Sequence, residues 1–354
     1  MVGGMPRPRA ADVPQDKTPV PRPRTRPTPE GTIHMRRATI ALARTAAVAC
    51  AGAVATAALV SPRKNDSYVD ARWGKIRQHR FAHRGLHDRD LGIPENSVAA
   101  FRRARDLGFG VELDVHLTAD GQLAVIHDAS TRRMCGRALT VEKSTLQDLR
   151  ELCLDGTDER IPTFDEVLSV FDADCADDAE PLPLIVEVKT EGAAWPRVAE
   201  LCHKTMDALD CHCVSYCVES FDPRVLVWLR RHRPEVVRGQ LSKDYVAATS
   251  AKSAASARTG EKSAPAHRQA LASACTAARD AAATSMVANS LARPDFVAYK
   301  FADRATPAFR LVQALGAKPV FWTIKNPQDL AAAETEGGVA IFEGFVPDST
   351  HAQV

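Results

Sequence analysis

The stretch from Val111 to Asp128, VELDVHLTADGQLAVIHD, constrains this chain more than any other. Apolar and β-branched residues alternate with polar ones on both sides of Asp120-Gly121, a dipeptide favoured in two-residue hairpin turns. With that turn, antiparallel pairing sets Asp114 opposite His127. Side chains two apart on a strand share a face, so Glu112 lies beside Asp114. Leu113, Val115 and Leu117 form the other, apolar face. Three titratable groups therefore converge on one patch, which an ordinary half-buried strand does not do. His116 shares the face of Glu112 and Asp114 but sits further up the hairpin, and surface exposure is expected for it.

Two further fragments end an apolar strand in charge. Arg80 to Gly85 (RFAHRG) closes on His83 and Arg84, and Leu184 to Lys189 (LIVEVK) carries Glu187 and Lys189 on one face. Charged residues at strand ends are the mark of the C-terminal mouth of a parallel barrel. Strand and helix patterns alternate beyond Phe81. Candidate strands lie at Arg80 to His83, Val111 to Val115, Leu123 to His127, Leu184 to Val188, Val214 to Val218, Val236 to Leu241, Phe296 to Tyr299, Val320 to Ile324 and Val339 to Phe342. Helical patterns between them include FDEVLSVF, WPRVAELCHKTMDAL, DPRVLVWLRRH, TPAFRLVQALGA and NPQDLAAAETEG, most of which end near Gly or Pro. The expected fold is α/β, a TIM (β/α)₈ barrel over residues 75–350. Leu123 to His127 is the one surplus strand, and it is expected to be the returning arm of the hairpin, folding His127 back over the mouth.

Seven short motifs occur in order: His83-Arg84-Gly85, Pro94-Glu95-Asn96-Ser97, Glu112-Leu113-Asp114-Val115, Thr118-Ala119-Asp120-Gly121, His127-Asp128, Ile161-Pro162-Thr163-Phe164 and Glu187-Val188-Lys189. Each is weak alone, but their ordered run makes chance agreement improbable. The chain resembles the glycerophosphodiester phosphodiesterase family from about Phe81 to Pro347, most densely before Thr190. The resemblance implies metal-dependent release of sn-glycerol 3-phosphate from glycerophosphodiesters, with attack by the glycerol 2-hydroxyl and a cyclic phosphate that water then opens. It also implies a small inserted subdomain at residues 129–160 that covers the mouth.

The residues suit that chemistry. Phosphodiester hydrolysis needs neutralisation of charge on the phosphoryl oxygens, a base for the nucleophile and an acid for the leaving alkoxide. Glu112, Asp114 and Glu187 would hold one divalent cation, and an all-oxygen carboxylate set suits Ca²⁺ or Mg²⁺, with Mn²⁺ also admitted. His83 and His127 would serve as acid and base, since imidazole titrates near neutral pH. Arg84 and Lys189 would hold the phosphate. Glu95 is a further candidate for substrate binding, while Asn96 or Ser97 also fits as a cap of the helix AAFRRARDLG. Trp322 matches the late Trp-Thr strand of the family and would line the glycerol pocket, or the core. Many family members end their last strand in Thr-Asp where this chain has Phe342-Glu343-Gly344-Phe345. That departure bears on specificity for the alcohol or glycerol, and the catalytic core is expected to be untouched by it. Two alternatives remain, a phospholipase D-like lyase or lysophospholipase D acting on lysophospholipids, and a non-catalytic lipid-head-group binding module.

A net charge of +2, with arginines scattered among acidic residues, gives no nucleic-acid surface. Residues 1–33 are Pro- and Arg-rich and are expected to be disordered. Within 34–61, the Ala- and Val-rich run 38–60 reads as membrane-associating. It reads as a single-pass cell-membrane anchor or a signal peptide starting at Met35, whose cleavage would leave a secreted protein, with a plain soluble helix as the third reading. Residues 242–294 are an Ala- and Ser-rich insertion expected to be a surface segment. Of nine cysteines, Cys211, Cys213 and Cys217 cluster with His212, but their spacing lacks the paired knuckles of a zinc site.

Overall fold

The structure is a computed structural model that describes residues 63, 66–172, 181–249, 280, 283, 286 and 288–352. The expected tail at 1–33, the apolar segment at 34–61 and most of the insertion at 242–294 lie outside these residues. Among the described residues, no helix is long and apolar enough to cross a membrane.

Nine strands form one sheet: β1 (Phe81–His83), β2 (Gly110–Leu117), β3 (Leu123–Val125), β4 (Pro183–Val188), β5 (Ser215–Ser220), β6 (Arg238–Ser242), β7 (Phe296–Lys300), β8 (Lys318–Ile324) and β9 (Val339–Phe342). Eight of them are parallel neighbours in the order β1, β2, β4, β5, β6, β7, β8, β9, and β9 returns to β1, which closes a TIM barrel. The surplus strand β3 runs antiparallel on β2, as expected for a returning hairpin arm.

Closure gives every stave two buried faces. On β2 all eight residues are buried. Leu113, Val115 and Leu117 pack outward against helices such as Phe164–Phe171 and Trp195–Asp210, and the alternate residues Glu112, Asp114 and His116 are turned the other way. The barrel interior is filled by Phe81, Ile185, Cys217, Leu241, Phe296, Ala298, Val320 and Ile341. Cys217 is thus a core residue, whereas Cys211 is exposed.

The helix Ser67–Ile76 plugs the N-terminal end of the barrel. Asp66 caps it by accepting from the Val69 N–H, and Val69, Trp73 and Ile76 join the interior cluster. Trp73 stacks on Phe296, the first residue of β7, at 5.1 Å between ring centroids. This helix begins before residue 75, ahead of the barrel's expected start. At the opposite end, residues 129–160 form short helices over their own apolar cluster of Met134, Val141, Leu149, Leu154 and Ile161, joined by Ala124 and Ile126 of the hairpin arm.

The hairpin register corrects the expected one. The turn is a three-residue loop, Ala119 to Gly121, closed by Thr118 N–H donating to the Gln122 carbonyl at 2.9 Å and Gly121 N–H to the Thr118 carbonyl at 3.0 Å. Gly121 takes φ +75°, the left-handed position that such a loop reserves for glycine. Val115 pairs with Val125 and His116 with Ala124, so Asp114 lies level with Ile126 rather than His127. His127 emerges one residue beyond the pairing.

Replacing Trp73 by alanine is expected to destabilise the protein by about 3–5 kcal/mol, the range for a buried aromatic removed from a core. Urea unfolding checks this, and a loss under about 1 kcal/mol would show that the helix is not part of the barrel core.

Candidate active site

The mouth of the barrel is built from strand ends. His83 closes β1, Glu112 and Asp114 lie on β2, and Glu187 lies on β4 level with Asp114. One carboxylate oxygen from each of Glu112, Asp114 and Glu187 lies within 4.8 Å of the other two, and all three side chains are buried. Three converging hard-oxygen donors on adjacent rigid strands can hold a divalent cation. The expected triad is therefore assembled.

Its surroundings are polar and uneven in charge. Lys189 Nζ pairs with both Asp114 and Glu187, lying 3.0 Å from Asp114 Oδ1 and 2.8 Å from Glu187 Oε1. Asn96 donates to Asp114 Oδ2 at 2.8 Å, and Arg84 Nε lies 3.6 Å from the same oxygen. The backbone N–H of Arg84 donates to Glu112 Oε2 at 3.1 Å. A fourth buried carboxylate, Glu219 on β5, sits level with Glu187, and its Oε2 has no hydrogen-bond partner. Four buried carboxylates thus meet two cations, Arg84 and Lys189. Burial raises the pKa of Glu112, with the charges of Asp114 and Glu187 adding to it, and Glu219 is raised in the same way. Burial pushes Glu187 up to about 7, against the opposing charge of Lys189. Asp114 moves the other way, because Lys189, His127 and Arg84 together outweigh its burial. This donor set lacks positive charge, which a divalent cation would supply.

Each histidine is backed by a carboxylate. His127 Nδ1 lies 2.6 Å from Asp128 Oδ1, and His83 Nδ1 lies 2.7 Å from Glu343 Oε2. His83 Nε2 points toward Glu112 at 3.8 Å. Burial lowers both imidazole pKa values, opposed by the carboxylates. Glu343 corrects the expectation that the Phe342-to-Phe345 departure leaves the core untouched: closure places the end of β9 beside the end of β1, and so a carboxylate beside His83.

An ion-pair chain joins the two sides of the mouth. Arg133, from the inserted segment, donates through Nε to Asp128 at 2.6 Å and through Nη2 and Nη1 to Glu95 at 2.7 and 2.8 Å. Glu95 accepts in turn from Arg84 Nη1 at 2.8 Å. Both Glu95 oxygens are thereby engaged by arginines, which outweigh burial and lower its pKa. Asn96 and Ser97 divide the two roles considered for them. Ser97 caps the helix Val98–Asp106 by accepting from the Ala100 N–H at 3.1 Å, and Asn96 turns inward to Asp114. Arg84 and Asn96 both adopt left-handed backbone, at φ 58° and 54°, tied by Asn96 N–H donating to the Arg84 carbonyl at 2.9 Å. Such conformations cost of order 1 kcal/mol or more and persist where surrounding bonds enforce them.

His116 overturns the expectation of exposure. It is fully buried, its Nε2 lies 3.3 Å from the His127 carbonyl, and burial pushes its pKa down to about 4, so it stays neutral. A closed barrel has no solvated face on β2 at that height. Trp322, on β8, packs against the interior cluster and meets Phe221 edge to face at 5.7 Å, with its indole Nε1 lacking a partner. The sequence reading names Asp128 and Glu343 in motifs without giving them a role, and it does not mark Arg133 or Glu219. Glu343 carried a usable signal, a charge ending the last strand, whereas Arg133 sits in an irregular segment without periodicity.

Residues 83–343 match the Glycerophosphoryl diester phosphodiesterase family. The chain belongs to this family. Glycerophosphodiester phosphodiesterase of Caldanaerobacter subterraneus is 42% identical over 97 residues, which cover 25% of this chain and 39% of that protein. Lysophospholipase D GDPD1 of Rattus norvegicus is 35% identical over 103 residues, covering 25% and 32%. The matched stretch spans only about two fifths or less of these relatives. A phosphodiesterase of Oleispira antarctica, solved in complex with the product sn-glycerol-3-phosphate, superposes with a TM-score of 0.54 at 19% identity over 77% of this chain and 94% of that one. That likeness shows that this member of the glycerophosphoryl diester phosphodiesterase family has the same fold.

The raised pKa of Glu187 gives a signed expectation. Between its ordinary value of 4.5 and about 7, the folded protein holds a proton there that the unfolded chain has lost. The stability this contributes is full below the lower value and is lost as pH rises to the upper one. In EDTA, Glu187→Gln should therefore gain stability relative to the parent as pH rises from about 4.5 to 7. Thermal unfolding across that range checks this; a difference that does not change with pH would refute it. With Mg²⁺ or Ca²⁺ present, the parent should become the more stable of the two at pH 7.

Proposed function

We propose that the protein hydrolyses glycerophosphodiesters to sn-glycerol 3-phosphate and an alcohol, with a divalent cation held by Glu112, Asp114 and Glu187. The observation that carries this reading is the convergence, at one barrel mouth, of that carboxylate triad with two imidazoles, each backed by a carboxylate. The cation, when bound, neutralises charge that builds on the phosphoryl oxygens. His83 and His127 move the protons: one imidazole takes the proton of the attacking hydroxyl as the new O–P bond forms, and the other delivers one to the leaving alkoxide as the old bond breaks. Attack by the glycerol 2-hydroxyl yields a cyclic phosphate, which water opens with the two roles exchanged. Arg84 faces the phosphate side of the site, pre-set by Glu95 and Asp114. Lys189 bridges Asp114 and Glu187, so it acts on the phosphate from among the carboxylates.

A second reading, lysophospholipase D activity, is favoured by one observation. A cavity of about 660 Å³ opens beside Glu187 and Lys189, with apolar lining from Phe221, Leu241, Tyr245 and Met286. Such a pocket suits an aliphatic group better than choline or glycerol. A purely binding module has no need of two carboxylate-backed imidazoles.

The test is incubation with glycerophosphocholine, glycerophosphoethanolamine, glycerophosphoglycerol and a lysophospholipid, with and without EDTA, and assay of glycerol 3-phosphate. Chelator-sensitive release from a water-soluble diester is expected. Absence of release from all of them sinks the main reading, and a cyclic or lysophosphatidic product from the lysolipid alone favours the second. His127→Ala should lower kcat by about 10²–10⁴-fold with cation affinity intact, the scale of one acid–base group. Asp114→Ala should weaken the cation by at least about tenfold. Equal cation affinity in the two variants, by calorimetric titration, would refute this division of labour.

A further inference from the structure

We propose that Glu343 is a positioning residue for His83, fixing the tautomer that leaves Nε2 facing the carboxylate triad. The proposal rests on the reading of His83 as an acid–base group and assigns a role to the last strand of the barrel.

Three observations carry it. First, β1 and β9 are parallel neighbours, with Phe81 level with Ile341 and Ala82 level with Phe342, so the next pair in register is His83 and Glu343. Closure of the barrel, not local sequence, makes them neighbours. Second, the Glu343 carboxylate is itself held. Its backbone N–H donates to the Ile324 carbonyl at 2.9 Å, its Oε2 lies 2.7 Å from His83 Nδ1, and its Oε1 lies 3.6 Å from Lys325 Nζ. The hydrogen bond from His83 keeps the carboxyl ionised, down at about 2, with Lys325 and His87 adding to the effect. An ionised carboxylate can only accept, so the proton of a neutral His83 resides on Nδ1. Third, this assignment leaves the Nε2 lone pair toward the triad, where Glu112 Oε2 is 3.8 Å away. His127 likewise has its Nδ1 on a carboxylate, 2.6 Å from Asp128 Oδ1. A carboxylate on the remote nitrogen of a catalytic histidine fixes both ring orientation and tautomer, and its loss can cost as much as 10⁴-fold in kcat.

The experiment compares Glu343→Gln, Glu343→Asp and Glu343→Leu. Glu343→Gln should lower kcat by about 10²–10⁴-fold with KM within about twofold and cation affinity unchanged, because the amide can donate to Nδ1 and reverse the tautomer. Glu343→Asp should recover part of the loss. In a His83→Ala background, Glu343→Gln should change residual activity less than about twofold, since the two act as one unit. Nitrogen NMR of the His83 ring in the cation-loaded protein should show Nδ1 protonated in the parent and a shift toward Nε2 protonation in Glu343→Leu. That measurement needs no turnover, so it stands or falls separately from the proposed activity. A kcat within about threefold of the parent in Glu343→Gln, or an unchanged His83 tautomer in folded Glu343→Leu, would overturn the assignment.

Discussion

The mouth of this barrel depends on an imbalance of buried charge. Glu112, Asp114, Glu187 and Glu219 are all buried on β2, β4 and β5, and among the described residues Arg84 and Lys189 are the Lys and Arg side chains that pair with them. An uncompensated charge in a low-dielectric interior is costly, so such a cluster must take up protons or a cation. The raised pKa values of Glu112, Glu187 and Glu219 express the first option, and the all-oxygen geometry of the triad suits the second. Much else at the mouth serves to hold these groups in register: the inward turn of Asn96, the left-handed backbone of Arg84, and the Lys189 bridge.

Around that centre, the structure divides the work by layer. The apolar faces of the staves and the helix Ser67–Ile76 supply a rigid frame, with the interior below the mouth filled by Phe81, Phe296 and Ile341. Rigid strands can hold side chains to the fraction of an ångström that proton transfer and cation binding demand. The inserted segment contributes differently. Its Arg133 ties Asp128, and through it His127, to Glu95 and Arg84, so His127 and Arg84 on the two sides of the mouth share one ion-pair chain.

The local order of the chain was legible wherever the signal is local. The staves, the hairpin arm and the main helices follow from period-2 and period-3.6 patterns, because one buried face of each element repeats at that interval. His83, Glu112, Asp114, His127 and Glu187 stood out as charges breaking apolar strands. The hairpin register did not follow, since Asp120-Gly121 serves equally in a two-residue turn and in a three-residue loop with Gly121 left-handed. The burial of His116 is not legible in the sequence for a related reason: height along a strand says nothing of burial until the sheet closes around it.

The sequence by itself determined the alternation of elements, the family resemblance and the charged strand ends, all properties carried within a few residues of chain. The tertiary structure alone decided which strand ends meet. Glu343 lies far along the chain from His83, and only the closure of β9 onto β1 brings them to 2.7 Å. Likewise, no pattern in the irregular segment around Arg133 marks it, until the segment folds over the mouth and places one guanidinium between Asp128 and Glu95. Contacts between residues distant in sequence arise from the packing of whole elements, and a closed barrel is a case where the first and last strands are neighbours.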